Sequence, residues 1–289
     1  MKIFVTGASG FVGSAVVQEL LRHGHQVLGL ARSAANAAAI AAAGAQVQRG
    51  SLDDFNSLAS GAAAADGVIH TAFIHDFSNY AASVEADRRA IEILGNTLAG
   101  SGRPLVVTSG TRSATAGGFV TEDMPADPNF PRRSEASALP FVGRDVRVAV
   151  VRLPPSVHGE GDHGFVPELI RIAREKGVSA YIGDGSNRWP AVHRLDAAQA
   201  FRLAVETAPA GTRVHAVAET GIPAKEIAAV IARRLGLPLE SRPVEHFGWL
   251  GPFFALDLPT TSEQTQRLLG WHPVQPGLLA DLDAHYFAH

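Results

Sequence analysis

The sequence predicts an α/β chain: a doubly wound parallel sheet with a smaller lobe toward the C-terminal end. Three observations carry that prediction. Lys2-Ile3-Phe4-Val5-Thr6 is a short apolar, β-rich run stopped by glycine, and Val12, Val16, Val17, Leu20 and Leu21 follow it at helical spacing. Strand-like and helix-like segments then keep alternating as far as about residue 153. Past that point the alternation loosens and Pro, Gly, Phe and Trp become frequent.

The first unit reads as strand 2–6, tight turn, helix 11–22 ended by Gly24, and strand 26–31. That is one βαβ unit of the ~30 residues such units take, so its strands should be parallel with helices on both faces. An alanine-rich helix over 34–43 follows, and its alanines serve helix formation and close packing rather than chemistry. Strand 45–49, a short helix over 55–60, strand 67–71, helix 81–99 and strand 104–109 continue the pattern. Gly110 to Pro131 turns to Gly, Ser, Thr, Pro and Asp, the composition of a long excursion, and excursions of that length usually carry function. A helix over 134–142 and strand 146–153 restore the rhythm until Pro154-Pro155 forces an exit. Helices are expected over 164–176, 196–207 and 224–235 and a strand over 178–182, while 247–259 has no clear period. The expected division is a dinucleotide-binding domain over 1–157, with 190–218 returning to it, and a small substrate-binding lobe from 158–189 and 219–289.

Composition removes several function classes. Twenty-five basic against 28 acidic residues give a formal charge of −3, with no broad footprint for nucleic acid or an anionic membrane. The absence of cysteine excludes a disulfide scaffold, a thiolate nucleophile and cysteine-built zinc sites. Charged residues interrupt every apolar run before the ~20 residues of a membrane-spanning helix, and Gly7, Ser9 and Gly10 break the N-terminal run too early for a signal peptide. A cytoplasmic protein is expected, a monomer or homodimer acting on a small molecule.

Thr6-Gly7-Ala8-Ser9-Gly10-Phe11-Val12-Gly13 joins the first strand to the first helix. Its glycines fall where a tight turn, a close backbone approach to a pyrophosphate and close helix packing are needed. The helix N-terminus would then face the anion. The second strand ends in Ala31-Arg32-Ser33, where a carboxylate would hold an adenosine ribose with free hydroxyls. Arg32 would instead pair with a 2′-phosphate and Ser33 would add a donor, so NADP(H) is the expected cofactor, with NAD(H) as the alternative.

The TGxxGxxG spacing at Thr6 to Gly13 resembles the short-chain dehydrogenase/reductase superfamily in its extended and atypical branches, the NAD-dependent epimerase/dehydratase-like proteins. That resemblance implies a Rossmann-type fold and extends over most of the chain. Gly50-Ser51-Leu52-Asp53-Asp54 looks like the family's adenine-contacting turn, with Ser51 where Asp is common, and Val68-Ile69-His70-Thr71-Ala72 like the segment lying along the cofactor. Val106-Val107-Thr108-Ser109-Gly110 resembles the strand that delivers the active-site serine, and Arg152 to Gly159 the strand exit beside the nicotinamide. Val192 to Ala197 and Leu268 to Pro273 are similar to later family segments. The cofactor contacts this implies are Gly7, Ala8, Ser9, Gly10, Phe11, Val12, Gly13, Arg32, Ser33, Ser51, Leu52, Thr71, Ala72, Phe73, Thr108, Pro154 and Ser156.

One departure is large. The family uses a tyrosine, with a lysine four residues later, to supply a proton near neutrality. The corresponding window reads Pro131-Arg132-Arg133-Ser134-Glu135, with Glu135 at the lysine position, and the chain's three tyrosines are Tyr80, Tyr181 and Tyr286. The remaining catalytic candidates are Ser109, as a hydrogen-bond donor or a plain strand-end cap, and His158, as an acid or an ordinary loop histidine. Tyr80 is a third candidate, reaching the cleft or merely opening a helix. His193 reads as structural. His158-Gly159-Glu160-Gly161-Asp162-His163 matches no defined metal spacing, so no metal is expected. Phe247, Trp249, Phe253 and Phe254, with Trp189, suit a core or the wall of an apolar cleft.

The expected function is an NADP(H)-dependent oxidoreductase moving hydride to or from a small, largely apolar carbonyl or imine. An imine that arrives protonated would need no strong acid. The alternatives are a non-catalytic NADP(H)-binding sensor and a nucleotide-sugar epimerase or dehydratase.

Overall fold

A computed structural model describes residues 1–75, 79–111, 118–126 and 132–287. Residues 112–117 and 127–131 of the 110–131 excursion, which include Pro131 of the tyrosine window, therefore lie outside the described residues. The N-terminal half runs β1 (Lys2–Thr6), α1 (Phe11–Arg22), β2 (Gln26–Ala31), α2 (Ala34–Ala42), β3 (Gln46–Arg49), α3 (Phe55–Ala63), β4 (Gly67–His70), α4 (Tyr80–Leu98) and β5 (Pro104–Gly110). It continues through α5 (Ser134–Ala138), β6 (Arg147–Leu153), β7 (Ser156–His158), α6 (Phe165–Lys176), β8 (Ser179–Tyr181), β9 (Arg188–His193) and α7 (Arg194–Thr207). The remainder is β10 (Thr212–His215), β11 (Glu219–Pro223), α8 (Ala224–Leu235), β12 (Leu239–Ser241), α9 (Gly251–Phe254), α10 (Glu263–Leu269) and α11 (Leu278–His285).

Seven strands form the central sheet in the order β10-β6-β5-β4-β1-β2-β3, and every pairing in it is parallel. Alternate side chains of each strand feed opposite faces. Ile3, Val5, Ile69, Val106, Ala149 and Val151 pack under α1 and α7 on one face. Phe4, Val68, Leu105, Val107, Val148 and Val150 meet Leu58, Ile91, Leu94 and Phe141 on the other. The strands are buried on both sides, which is why they read as continuous apolar runs rather than alternating ones. The chain reverses its order of travel at β1 and β4, and their carboxyl ends, Thr6 and His70, lie side by side in register. In doubly wound sheets that crevice is the ligand position.

A third core lies outside the sheet, where Val166, Leu169, Ile170, Ile227, Ile231 and Leu278 gather around Trp189. Two small sheets serve it, β11-β9-β7 and β12-β8. β9 was not legible in the sequence because Pro190 interrupts it. The structure accommodates the proline at a register shift, since β11 pairs Glu219 with Ala191 and Ile222 with Trp189 and is irregular between them. The single helix expected over 134–142 is instead α5 followed by a 3-10 segment, Leu139–Arg144, with Pro140 in its first turn. The aperiodic 247–259 stretch holds a second 3-10 segment, Val244–Leu250, and α9. Val120 pairs with Thr260, which ties the middle of the excursion to the C-terminal region. Among the described residues no helix is long and apolar enough to cross a membrane.

Candidate functional site

The glycine loop after β1 is shaped by backbone contact. Gly7 has φ +70°, and a Cβ there would lie 2.7 Å from the Ala72 nitrogen; a Cβ on Gly13 would lie 2.0 Å from the Gly7 carbonyl oxygen. No L side chain fits either place without moving main chain. The Gly10 amide donates to the Gly7 carbonyl at 2.9 Å, closing the turn, and Gly10 then caps α1 without any side-chain hydrogen bond. The N-terminus of a twelve-residue helix is thus left open above a cradle of bare backbone, the arrangement that suits a pyrophosphate. Phe11 is flanked by the His163 ring at 5.7 Å and the Arg194 guanidinium at 5.2 Å, so the loop after β7 borders the glycine loop.

The other expected cofactor contacts line the same edge. Ala31 is buried and Arg32 exposed at the end of β2. The Ser33 hydroxyl accepts from the Asn36 amide to cap α2, while Arg49 on β3 donates to the Ser33 carbonyl at 2.7 Å. Sequence reasoning missed Arg49, which brings a second cation to this turn. Ser51 Oγ accepts from the Asp53 amide at 3.3 Å, and Leu52 packs against the core of Phe4, Leu58 and Val68. Thr71 Oγ1 donates to the Thr6 carbonyl and Thr108 Oγ1 to the His70 carbonyl, tying the ends of β1, β4 and β5 together. Pro154 is buried, and Ser156 Oγ is buried with no hydrogen-bond partner. A dinucleotide fits this donor set: a bare anion cradle, two guanidinium groups where β2 and β3 end, and no carboxylate in Ala31-Arg32-Ser33.

Beneath the cradle runs a polar chain that the sequence did not reveal. The Thr6 hydroxyl bonds His70 Nδ1 at 2.8 Å, His70 Nε2 bonds Asp87 Oδ1 at 3.1 Å, and Ser134 Oγ donates to Asp87 Oδ2 at 2.6 Å. Arg132 Nε donates to Ser134 Oγ at 2.8 Å and its Nη2 to the Thr108 carbonyl at 3.1 Å. Burial opposes the Asp87 charge, yet the His70 hydrogen bond and the Arg132 cation hold its carboxyl below the ordinary range. Burial likewise lowers Arg132. One sequence signal existed: Asp87 sits in the buried stripe of α4 made by Ser83, Ala90, Ile91 and Leu94, where a charge needs a partner.

The acid-base candidates separate clearly. Ser109 is buried at the end of β5, opposite Arg152 in register. Glu135, at the lysine position, is spent on structure: Arg152 donates to both its oxygens at 2.9 Å and Arg213 also bonds it. His158 is 1% exposed, its Nδ1 bonds Asp281 at 2.8 Å, and its buried Nε2 has no hydrogen-bond partner, the ring lying edge-on to His193 at 5.3 Å. His193 Nδ1 accepts from the Leu195 amide and so caps α7. Tyr80 opens α4, and its ring lies 5.9 Å from that of Phe73, which is also 5.3 Å from His75 and 4.2 Å from the Arg132 guanidinium carbon. Burial, then the Arg132 and His163 charges, push the His75 imidazole below its ordinary value.

In the 158–163 loop, Asp162 accepts from the Tyr286 hydroxyl and the Gly164 amide, and burial raises its pKa. Among the described residues no group of three or more His, Asp or Glu side chains could hold a metal ion. Phe165 continues from this loop into an aromatic cluster with Trp189, Trp249 and Phe253, in which Trp249 is 53% exposed.

A 3-2-1-4-5-6 parallel core with a glycine cradle at its reversal point defines the class: a Rossmann-type α/β protein. Comparison with known proteins narrows it. Residues 3–98 match the NAD dependent epimerase/dehydratase family. An uncharacterized protein of Schizosaccharomyces pombe is 50% identical, with 99% of this chain and 100% of that protein aligned. The 2-alkyl-3-oxoalkanoate reductase of Stenotrophomonas maltophilia is 29% identical over 73% of this chain and 67% of its own. The fold matches a double mutant of the dTDP-glucose 4,6-dehydratase DesIV of Streptomyces venezuelae, solved with NAD, at TM-score 0.79 and 21% identity, covering 99% of this chain and 96% of that one. The chain belongs to the extended, atypical branch of the short-chain dehydrogenase/reductase family and lacks the usual tyrosine–lysine pair.

Proposed function

We propose that this chain is an NADP(H)-dependent reductase of a small, largely apolar carbonyl or imine compound, acting in the cytoplasm. The observation that carries the cofactor choice is the turn after β2: Arg32 is exposed, Arg49 lies against Ser33, and no carboxylate is present to hold ribose hydroxyls. Two guanidinium groups suit a 2′-phosphate by charge and by fork geometry. Backbone of Gly7, Gly10 and Gly13 and the open end of α1 would hold the pyrophosphate. Thr71, Ala72 and Phe73, with Thr108, Pro154 and Ser156, would border the nicotinamide half. Bound NADPH would supply the hydride.

The chain's own part is to hold the substrate and exclude water. The aromatic cluster of Phe165, Trp249 and Phe253, which follows in sequence the loop whose His163 meets Phe11, supports an apolar substrate. Reduction adds hydride to the carbonyl carbon while the oxygen takes a proton, and Ser109 is read as a hydrogen-bond donor to that oxygen. The domain reading follows: 1–157 with 190–218 for the dinucleotide, 158–189 and 219–289 for the substrate.

The test is NADPH and NADH binding to the purified protein, then oxidation of each across ketones, aldehydes and cyclic imines. Preference for NADPH with turnover supports the reading. A second reading, a dinucleotide sensor without catalysis, is favoured by the missing tyrosine; NADPH binding without turnover on any carbonyl or imine would support it. Tight NAD binding together with a nucleotide sugar would support an epimerase or dehydratase instead.

A further inference from the structure

We propose that the C-terminal end of the chain retains the dinucleotide: α11 and Tyr286 hold the loop 158–164 against Phe11 beside the glycine cradle, and that hold sets how fast the nucleotide leaves. This rests on dinucleotide binding at the cradle, and not on the identity of the substrate or of the proton donor.

The loop needs an anchor from outside. Gly159-Glu160-Gly161-Asp162-His163-Gly164 has three glycines in six residues, with φ +138° at Gly159 and +82° at Gly161. Glycine loses the most conformational freedom on ordering, so such a segment does not hold one shape by propensity. Within it the Asp162 amide donates to the Gly159 carbonyl at 3.1 Å, the Gly164 amide donates to Asp162 Oδ1 at 2.7 Å, and His163 Nδ1 bonds the Gly161 carbonyl at 3.2 Å. These bonds shape the turn but do not fix it to the rest of the molecule.

One phenol does. Tyr286 Oη accepts from the Gly159 amide at 3.3 Å and donates to Asp162 Oδ2 at 2.6 Å, so a single hydroxyl joins two points of the turn. Burial, with the Asp162 charge beside it, pushes the Tyr286 pKa upward, which keeps the phenol protonated and donating. Tyr286 is in turn set by α11. Leu278 and Leu282 are fully buried in the third core, and the Leu278 amide donates to Glu219 Oε2 at 2.6 Å. Asp281 accepts from His158 Nδ1 at 2.8 Å and from His285 Nδ1 at 2.7 Å, which fastens the helix to the residue where the loop begins.

The other flank of the loop belongs to α7. Arg194 Nη1 donates to the Glu160 carbonyl at 3.0 Å, and the same guanidinium lies 5.2 Å from the Phe11 ring. His163 meets that ring edge-on at 5.7 Å. Phe11 opens α1, whose free amides would face the pyrophosphate, so the loop borders the bound anion. The path from the chain's end to the cradle is therefore contiguous: the Tyr286 hydroxyl, Asp162, its neighbour His163, and Phe11. Tyr286 and Asp281 are positioning residues, acting on the nucleotide only through this loop.

The experiment is displacement of NADPH from the purified protein, followed by nucleotide fluorescence after rapid mixing, in wild type, Tyr286→Phe, Asp162→Ala, the double variant and Asp283→Ala. Tyr286→Phe removes one hydroxyl and keeps the ring. It should speed dissociation by at least about fivefold, the scale of one hydrogen bond to a carboxylate. Asp162→Ala breaks the same bond from the loop side, so the double variant should release NADPH no faster than the faster single one. Asp283→Ala removes a surface pair with Arg233 of α8, at 2.9 Å, from the same helix and should leave dissociation within about twofold. With a substrate in hand, KM for NADPH should rise in Tyr286→Phe while kcat at saturating NADPH is not reduced. Release at the wild-type rate from a folded Tyr286→Phe or Asp162→Ala overturns the proposal. So does an Asp283→Ala that matches Tyr286→Phe, which would make the effect one of helix stability. A wild type that binds neither NADPH nor NADH overturns the dinucleotide reading on which the proposal rests.

Discussion

Replacing Gly13 by alanine tests the cradle directly. The added Cβ would stand 2.0 Å from the Gly7 carbonyl oxygen, 2.7 Å from its carbon and 2.8 Å from Thr71 Oγ1. The first two are backbone of the turn itself, fixed by the Gly10 amide and by the +70° conformation of Gly7. Relief therefore requires the turn to open by more than an ångström, not a rotamer change, and overpacking of this kind costs ~1–3 kcal/mol. If that cost falls on the bound conformation, the dissociation constant for NADPH rises by about 5- to 150-fold. Gly143→Ala is the control, because a Cβ there meets nothing within 4 Å and its φ is not in the left-handed region. The assay is NADPH titration by nucleotide fluorescence, with thermal unfolding of each variant alongside. Gly13→Ala binding as tightly as Gly143→Ala would refute the reasoning, whatever its stability.

Three further outcomes follow from individual charged groups. His215 donates from Nδ1 to the Thr261 carbonyl, while its Nε2 faces the Arg152 guanidinium at 3.2 Å, and chiefly burial lowers its pKa to about 4. The unfolded chain therefore binds a proton first as pH falls, so stability on the order of 3 kcal/mol should be lost between about pH 6.5 and 4, and His215→Gln should flatten that part of a denaturant-measured profile. Glu135 is held below the carboxylate range, against burial, by Arg152 and Arg213; its contribution is present above about pH 4.5 and lost in more acid solution, and Glu135→Gln should cost ~3–5 kcal/mol in urea unfolding near neutrality. Arg32→Ala should weaken NADPH binding by about tenfold or more and leave NADH within a few-fold, as calorimetry would reveal.

The fold was legible where local periodicity and burial agree. β1, the glycine turn and α1 occupy consecutive residues, and their spacing alone defines strand, turn and helix. The second half was less legible because its strands β7, β8 and β12 are three residues long and find partners far away in the chain. Pro190 argued against a strand that the structure builds around a register shift. The cofactor edge followed from glycine spacing and from Arg32. The buried polar pairs did not, because His70 and Asp87 are 17 residues apart, Asp87 and Ser134 are 47 apart, and His158 and Asp281 are 123 apart. Nothing in one-dimensional spacing joins them; an aspartate within the apolar stripe of α4 was the single local sign.

The central claim is that this Rossmann-type site reduces a small carbonyl or imine with NADPH, despite lacking the family's usual acid pair. The measurement that bears on it most directly is oxidation of NADPH and, in parallel, NADH by the purified protein against a panel of ketones, aldehydes and cyclic imines. Turnover with at least one compound class and a clear preference for NADPH is the expected result. Tight NADPH binding with no turnover of any of them would contradict the account and leave a sensor.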